Sequence, residues 1–290
     1  MKRLSILCLS AFLFSRLTFA GAQEDFFAAS LACDLDGVKK ALEAGAEVNA
    51  LNQHNQNALA SSFFCPDVIQ FLIDKGCDPN GGSYPAIIQA ANNYSVEVLE
   101  MLLKAGADPN KLGVIDPGAG LRKMIADEEA KGKKANKATI KIWNAALENL
   151  KPTNVRALTQ TVQQTNCVPC LDMLLKAGAD VKQEEADGGL MHVLSNFSMT
   201  REERKANFKL GAPNLTAYGL NPPAWYSDLP NDKNGTPGEL LQLLVDAGLD
   251  VHINREDGLS AFMAALSLHK LELSKAMLRN GADAVSETTV

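Results

Sequence analysis

The cysteines are the residues of this sequence whose type and spacing point most directly to chemistry. Of the six cysteines, Cys167 and Cys170 enclose Val-Pro in the Cys-X-X-Cys spacing that oxidoreductases and local disulfides share. A redox role would require this pair to lie between a strand and a helix, whereas it stands at the start of an apolar-periodic segment that predicts a helix. A structural disulfide is the favoured interpretation, and the alternatives are an idle thiol pair and redox or metal chemistry.

No other pattern predicts a catalytic, metal or cofactor site. The histidines His54, His192, His252 and His269 lack a partner at metal-ligand spacing such as His-Glu-X-X-His. There is no Gly-X-Ser-X-Gly turn and no Walker-type phosphate loop, and no strand is predicted ahead of Gly118-Ala119-Gly120 to make a nucleotide site there. The sequence therefore predicts a protein that is not an enzyme and uses no cofactor or metal.

A repeated octapeptide dominates the organisation of the chain. Met-Leu-Leu-Lys-Ala-Gly-Ala-Asp occupies residues 101–108 and again 173–180, and relatives of it recur elsewhere. The shared glycines are Gly45, Gly76, Gly106, Gly178, Gly248 and Gly281. They are spaced by 31, 30, 72, 70 and 33 residues, and a period near 30 to 33 is typical of stacked repeats.

Each copy of this motif has the composition of a helix end. Apolar residues such as Val98, Leu99, Leu102 and Leu103 recur on one face of the preceding helix. The glycine follows at the C-terminal cap, where a left-handed backbone conformation costs it least. Asp-Pro-Asn or Asp-Val then begins a turn. Because one helix pair of this size cannot bury its apolar face, the copies are expected to stack side by side.

These features resemble the ankyrin repeat family. Helix ends of the form Leu-Leu-X-X-Gly-Ala-Asp-X-Asn match it, as does the period, and residues 257–265 stand where the family has Asp-Gly-X-Thr-Pro-Leu-His-X-Ala. The resemblance implies an all-α solenoid of helix pairs with short hairpin fingers at one edge. Its repeats would end near residues 49, 80, 110, 182, 252 and 285. The resemblance also implies a protein that binds other proteins.

The two long gaps between glycines predict insertions at residues 113–152 and 198–236. The first is predicted to be helical from about Leu121 to Leu150, with a break at Gly132, and to leave the stack at its finger edge. The second is a loop rich in proline and aromatic residues, between helices predicted over 189–197 and 239–247. Its aromatic rings either anchor a partner, as Trp and Tyr often do at interfaces, or fold back to cover a helix end.

Stacking of the repeats places the remaining cysteines in comparable positions. Cys33 and Cys65 both fall in the turn between the two helices of their repeats, one repeat apart. A bridge between them is therefore a second disulfide candidate, beside Cys167 and Cys170, although equivalent residues of stacked repeats tend to lie too far apart. Cys77 is left over and is predicted to be buried.

The N-terminal segment has the layout of a secretory signal peptide. Two basic residues precede an apolar run from Leu4 to Phe14, and small residues provide a cleavage site near Ala20 to Ala22. Residues 1–22 are the predicted signal peptide and residues 23–290 the repeat domain, in the periplasm or secreted. An uncleaved membrane anchor is the alternative. Export would place the chain where disulfides form.

The charge balance argues against nucleic acid as a partner. The formal net charge is -6, and removal of the predicted signal peptide, with three basic residues, makes it about -9. Nucleic-acid binding depends on neutralising phosphates. The one basic run, residues 131–141, is interpreted as a solvated helix face. The expected partner is a protein, with no nucleic acid, no membrane contact after cleavage, and a monomeric chain.

The predicted function is to bind one protein partner through the fingers, the concave face and the insertions. Two roles fit this prediction, neutralising a secreted toxic enzyme and supporting a periplasmic enzyme. The alternatives are a thiol-active protein that uses Cys167 and Cys170, and an effector secreted toward a host. The predicted contact residues lie in the fingers and in the aromatic loop: Asn52, His54, Gln56, Tyr84, Glu184, Glu185, Asp187, Tyr218, Trp225, Tyr226, Arg255 and Glu256.

Overall fold

One row of stacked helices runs through the fold. The computed structural model describes residues 21–93, 95–165, 167–188, 190, 236–252 and 260–282. Within them, six helices that each end just before a repeat glycine pack against one another in chain order. They are α2 (Leu35–Glu43), α4 (Pro66–Asp74), α6 (Val96–Lys104), α10 (Val168–Lys176), α12 (Pro237–Asp246) and α14 (Leu271–Arg279). The long gaps in glycine spacing therefore do not interrupt the stack.

Shorter helices form a second layer beside this row. They are α1 (residues 21–31), α3 (Ala58–Ser61), α5 (Ala86–Asn92), α9 (Ala157–Gln160) and α13 (Ala261–Ser267), and α9 continues as a π-helical turn over Thr161–Thr165. The helices α3, α5 and α9 pack side by side, as the longer helices do. The predicted all-α solenoid of helix pairs is confirmed.

The hydrophobic core lies between the two layers. The shorter helices contribute small side chains such as Ala86 and Ala90, and the longer helices contribute Leu72, Leu99 and Leu102, all fully buried. Small residues allow the two layers to approach closely, and the leucines fill the space that remains. The core is therefore continuous from repeat to repeat, which explains why the apolar pattern recurs with each copy of the motif.

In the Gly-Ala-Asp motif, the glycine caps the helix and the aspartate forms a turn. All six repeat glycines have φ between +79° and +101°, as predicted for a C-terminal cap. Two residues later, an aspartate side chain accepts the backbone N–H of the second residue after it, at 2.9–3.0 Å. This turn occurs at Asp78, Asp108, Asp180 and Asp250. At Asp78 and Asp108 it directs the chain away from the helices, whereas at Asp180 it begins a further helix, Val181–Gly188.

Three asparagines join successive repeats to one another. The side-chain amides of Asn49, Asn80 and Asn110 donate to the carbonyl of the next repeat glycine at 2.9–3.1 Å. Their side-chain oxygens accept the backbone N–H of the following motif aspartate at 2.7–2.8 Å. Asn110 makes these bonds with Gly178 and Asp180, so it links the repeats that flank the first insertion. These hydrogen bonds between repeats were not predicted from the sequence.

The helical insertion, residues 113–152, extends from a short β-hairpin. Strands β1 (Gly113–Ile115) and β2 (Thr153–Val155) pair antiparallel, with Val114 opposite Asn154. Between them lie α7 (Ala119–Glu129), a 3-10 turn (Gly132–Lys134) and α8 (Lys137–Leu147). The two helices pack against each other, and Gly132, at the predicted break, has φ +59°.

The strand pair corrects the statement that no strand precedes Gly118. The strand β1 does precede it, but it belongs to an antiparallel hairpin and not to the parallel strand–helix unit of nucleotide sites. The backbone N–H of Gly118 donates to the Asp116 side chain at 3.1 Å, so it is already used within the turn. We therefore still infer no phosphate site at Gly118.

Both candidate cysteine pairs form disulfides in the structure. Cys33 and Cys65 have Cα atoms 5.4 Å apart, and Cys167 and Cys170 have Cα atoms 5.2 Å apart. The concern that Cys33 and Cys65 would lie too far apart is wrong here. Cys33 takes up a left-handed conformation, φ 59°, in the turn after α1, and it meets Cys65 at the start of α4.

Candidate partner-binding surface

The finger edge is the row of turns and short strands at residues 50–57, 80–85, 113–115 and 153–155. The backbone N–H of Ser83 donates to the carbonyl of Asn55 at 2.8 Å, and the N–H of Val114 donates to the carbonyl of Ser83 at 2.7 Å. The strand β1 is in turn paired with β2. The fingers and the hairpin of the helical insertion therefore form one hydrogen-bonded row.

One of the three contact residues predicted for the first finger lies exposed at its tip. The Asn52 side chain accepts the backbone N–H groups of His54 at 2.8 Å and Gln56 at 3.1 Å, so Asn52 shapes the turn. Gln56 is half-buried, whereas the His54 side chain is exposed at the tip. His54 is therefore the residue of this finger best placed to meet a partner.

Tyr84, predicted as a contact in the second finger, is buried. Burial raises the pKa of its hydroxyl from 10.0 to about 12, because water no longer solvates the phenolate. The ring lies against Gly113, at the base of the helical insertion. The prediction that Tyr84 contacts a partner is therefore corrected, because its ring packs against the base of the helical insertion.

Replacing Gly113 by alanine is expected to destabilise the fold by about 2 kcal/mol, because the added methyl group overpacks a closed site. A Cβ atom at Gly113 would lie 2.4 Å from Cδ1 of Ile88 and 3.4 Å from Cδ of Pro85, and Ile88 is fully buried. Gly120→Ala is the control, since nothing lies within 4 Å of a Cβ there. That change is expected to be neutral or slightly stabilising in α7. Urea unfolding of both variants tests this, and equal stabilities would contradict it.

Glu184, predicted as a finger contact, belongs to a buried ion pair. Residues Val181–Gly188 form α11 where a finger was expected, and the Glu184 side chain is only 3% exposed. Its carboxylate lies 3.2 Å from Nη1 of Arg156 and accepts the backbone N–H of Thr159 at 3.0 Å. It also bonds the Thr159 hydroxyl. The prediction of a partner contact at Glu184 is therefore corrected to a structural role.

The other residues predicted for this finger share α11. Glu185 is half-buried, and Asp187 is near the end of the helix. The Asp180 side chain accepts the backbone N–H groups of Lys182 and Gln183 at 3.0 Å, which starts the helix. Residues 182–186, Lys-Gln-Glu-Glu-Ala, are good helix formers, and they are the sequence signal for α11.

The remaining predicted contacts lie outside the described residues. This holds for the aromatic loop residues Tyr218, Trp225 and Tyr226, for Arg255 and Glu256, and for the predicted helix over 189–197 apart from residue 190. They stay predictions.

The helical insertion adds a large surface beside the first finger. The ammonium group of Lys123 in α7 lies 3.3 Å from Oε1 of Gln53, so the insertion folds toward that finger. None of the side chains of α8 is buried. Exposed apolar residues occur on both helices, with Met124 50% and Ile142 68% exposed. None of these side chains belongs to the hydrophobic core of the stack.

The turn between α7 and α8 is organised by Glu128. Its carboxylate pairs with Lys131 and accepts the backbone N–H of Asn136 at 2.9 Å. The hydrogen bond from Lys131, followed by that from Asn136, lowers the pKa of Glu128. Asn136 in turn caps α8 by accepting the N–H groups of Ala138 and Thr139 at 3.1 Å. The tip of the insertion is therefore held in a defined shape.

The Cys167–Cys170 disulfide is inaccessible. Both residues are 0% exposed, and Cys167 Sγ accepts the backbone N–H of Cys170 at the start of α10. A thiol-active site needs an accessible sulfur in an electropositive setting. This location favours the structural interpretation of the pair.

Cys77 is expected to resist alkylation in the folded protein. It is the one free cysteine among the described residues, it is buried, and burial raises the pKa of its thiol from 9.0 to about 11. Its thiolate fraction at pH 8 is therefore very small. We expect iodoacetamide to react about a hundredfold more slowly with native residues 23–290 than with the same chain in urea, measured by mass spectrometry. Rapid labelling of two or more thiols in the native chain would contradict the assignment of the disulfides.

The described residues contain neither a helix that could span a membrane nor a group of side chains that could hold a metal ion. No helix in the described ranges is long and apolar enough to cross a membrane. In the same ranges, no group of three or more His, Cys, Asp and Glu side chains could hold a metal ion.

The similarities of the chain to known proteins concern its repeats. Residues 26–112 match the family model of ankyrin repeats, in three copies. No curated protein is significantly similar to the chain. In structure, the chain is similar to the ankyrin repeat domain of Bcl-3, a member of the IkappaB protein family. The TM-score is 0.50 and the identity 19%, over 90% of this chain and 87% of that one.

Two bacterial structures are similar to about the same extent. One is an ankyrin repeat domain from Acinetobacter baumannii AYE, with a TM-score of 0.49 and 17% identity over 89% of this chain and 98% of that one. The other is a predatory endopeptidase from Bdellovibrio bacteriovorus in complex with an immunity protein, with a TM-score of 0.49 and 16% identity over 88% and 97%. Residues 26–112 are therefore ankyrin repeats, and the row of glycine-capped helix pairs gives the described residues an ankyrin-repeat fold.

Proposed function

We propose that the protein is an exported, non-enzymatic scaffold that binds one protein partner through its finger edge and helical insertion. Stacked repeats present extended surfaces to other proteins, and this use of the fold is general. The observation that carries the proposal is the helical insertion. It extends the finger edge by two helices, buries no residue of α8, and leaves apolar side chains exposed.

Export is supported by two independent features. The N-terminal residues have the composition of a signal peptide, and both cysteine pairs form disulfides. Disulfides persist in the periplasm and outside the cell, and cytosolic reductants remove them. The acidic net charge of -6 agrees with a protein partner and not with nucleic acid.

Within this proposal the partner is an enzyme, either one that the scaffold inhibits or one that it supports. A rigid solenoid with a defined helical projection suits a single partner, because little conformational entropy is lost when two pre-formed surfaces meet. The effect of the scaffold on the partner's activity separates the two roles, since inhibition and stabilisation have opposite signs.

The experiment is a crosslinking pull-down from the envelope fraction of the source cells with tagged residues 23–290. One partner recovered in equal amount is the expected result. The Cys167→Ala/Cys170→Ala variant is the control, and it should recover the same partner. Capture only as mixed disulfides that disappear in this variant would instead support a thiol-active protein. A localisation of the native chain in the cytoplasm would contradict export.

A further inference from the structure

The helical insertion has the opposite charge from the rest of the chain. Residues 113–152 contain eight basic and five acidic residues, a net charge of +3 within a chain of net charge -6. The remaining residues therefore carry a net charge of -9. The basic residues concentrate near the tip of the insertion, in the turn and the first half of α8, at Lys131, Lys133, Lys134, Lys137 and Lys141.

Most of these lysines form no ion pair within the part of the chain that the structure describes. Lys131 pairs with Glu128, but Lys133, Lys134, Lys137 and Lys141 form no ion pair with any acidic residue that the structure describes. All four are exposed. By contrast, three exposed lysines on the longer helices of the stack, Lys104, Lys176 and Lys275, each pair with a carboxylate one turn away. Lys40 on α2 is exposed and forms no such pair with a described residue, so what distinguishes the insertion is that its unpaired lysines cluster at one place.

Apolar side chains accompany these lysines on the same helix. Ile142 follows Lys141 directly and is 68% exposed, and Trp143 beside it is half-buried. Lys137 and Lys141 lie one helical turn apart, so their ammonium groups project from the same side of α8. Exposing isoleucine and tryptophan to water is unfavourable, and burial in a partner would remove that cost.

We propose that the tip of the helical insertion docks into an apolar-lined cleft with an acidic rim on the partner protein. This inference rests on the proposed function and names the chemistry of the surface that the scaffold recognises. The lysines steer the insertion to the acidic rim, and Ile142 and Trp143 enter the cleft. The net charge of -9 on the rest of the chain disfavours a nucleic acid or an anionic membrane as the occupant, because that charge would repel either one.

The test compares two charge-reversal variants with the same change in net charge. The tip variant carries Lys133→Glu, Lys137→Glu and Lys141→Glu. The body variant carries Lys104→Glu, Lys176→Glu and Lys275→Glu, three exposed lysines on the longer helices of the stack. The probe is the protein crosslinked through benzoylphenylalanine placed at position 142, then purified. Association rates are measured by biolayer interferometry at 20 mM and 500 mM NaCl, and thermal unfolding verifies that both variants fold.

The tip variant is expected to associate about tenfold or more slowly than the wild type at 20 mM NaCl, while the body variant keeps the wild-type rate. The difference should shrink at 500 mM NaCl. Ile142→Asp should raise the dissociation rate instead, because it removes an apolar anchor. Equal effects of the tip and body variants would overturn the docking proposal and leave the scaffold proposal standing. If neither variant nor the wild type binds any protein stoichiometrically, both proposals fail.

Two further probes separate the alternative occupants of the tip. Vesicles of phosphatidylglycerol and phosphatidylethanolamine, and a duplex DNA of 20 base pairs, are titrated against the wild type and the tip variant. No binding to either probe is expected. Binding to one of them that the tip variant abolishes would overturn a protein cleft as the occupant.

Discussion

Replacing Glu184 by alanine is expected to lower the free energy of unfolding by about 3 kcal/mol. The change removes the carboxylate that lies 3.2 Å from Nη1 of Arg156, in a largely buried site where the arginine side chain is 14% exposed. It also leaves the backbone N–H of Thr159 without the acceptor that it has in the wild type. Arg156 retains a hydrogen bond from Nε to the carbonyl of Asn110, so part of its orientation survives.

Two variants show whether burial of the ion pair is the cause. Glu184→Gln keeps an acceptor for Thr159 but removes the charge, and it should cost less than the alanine change. Glu100→Ala removes an exposed partner of Lys104 and should cost under about 1 kcal/mol. Urea unfolding at constant pH measures all three. A Glu184→Ala chain as stable as the Glu100→Ala chain would show that the pair contributes nothing.

Removal of the Cys33–Cys65 disulfide is expected to cost about 3 to 4 kcal/mol, because the bridge closes a loop with a sequence separation of 32 residues. The bridge also ties the first helix pair to the second, so its loss should affect the N-terminal repeat most. Relative to the wild type, hydrogen exchange in the Cys33→Ala/Cys65→Ala variant should therefore accelerate more in α1 and α2 than in α10.

The Cys167–Cys170 bridge provides an internal comparison. Its sequence separation is only 3, so the same loop-entropy argument gives about 2 kcal/mol for its removal. The two double-alanine variants are compared by urea unfolding of the full stack. A larger loss for the Cys167–Cys170 variant would contradict the argument from loop length.

The repeat architecture could be predicted because each repeat glycine obeys a local rule. A left-handed residue after an amphipathic helix favours glycine whatever the rest of the chain does, and Gly106 and Gly178 both follow that rule. The period then places successive helices beside one another. The disulfide candidates could be predicted by the same reasoning, since Cys33 and Cys65 occupy comparable places in neighbouring repeats.

The features that escaped prediction depend on contacts between distant residues. Tyr84 is buried because Gly113, at the base of the helical insertion, lies against its ring. Asn110 donates to the carbonyl of Gly178, which follows 68 residues later in the chain, after the whole insertion. The strands β1 and β2 are three residues each, too short for an alternating pattern to identify.

The helix α11 is a different case, because its local composition does favour a helix. The resemblance to ankyrin repeats led to the expectation of a finger at Glu184, and the helix formers after Asp180 prevailed. Family expectation was therefore less informative there than helix propensity. Asn52 was also expected to contact a partner because it lies in a finger. Its side chain instead accepts hydrogen bonds that complete the turn of that finger.

The central claim, that the helical insertion carries partner recognition, is tested most directly by removing it without disturbing the stack. Ile115 and Thr153 lie opposite each other in the hairpin, so residues 116–152 can be replaced by Asn-Gly, which closes antiparallel strands with a two-residue turn. The affinity of the captured partner is then measured by calorimetry for this variant and for the wild type. We expect a loss of about a hundredfold or more with an unchanged unfolding temperature of the stack. Unchanged affinity would show that recognition resides elsewhere on the scaffold.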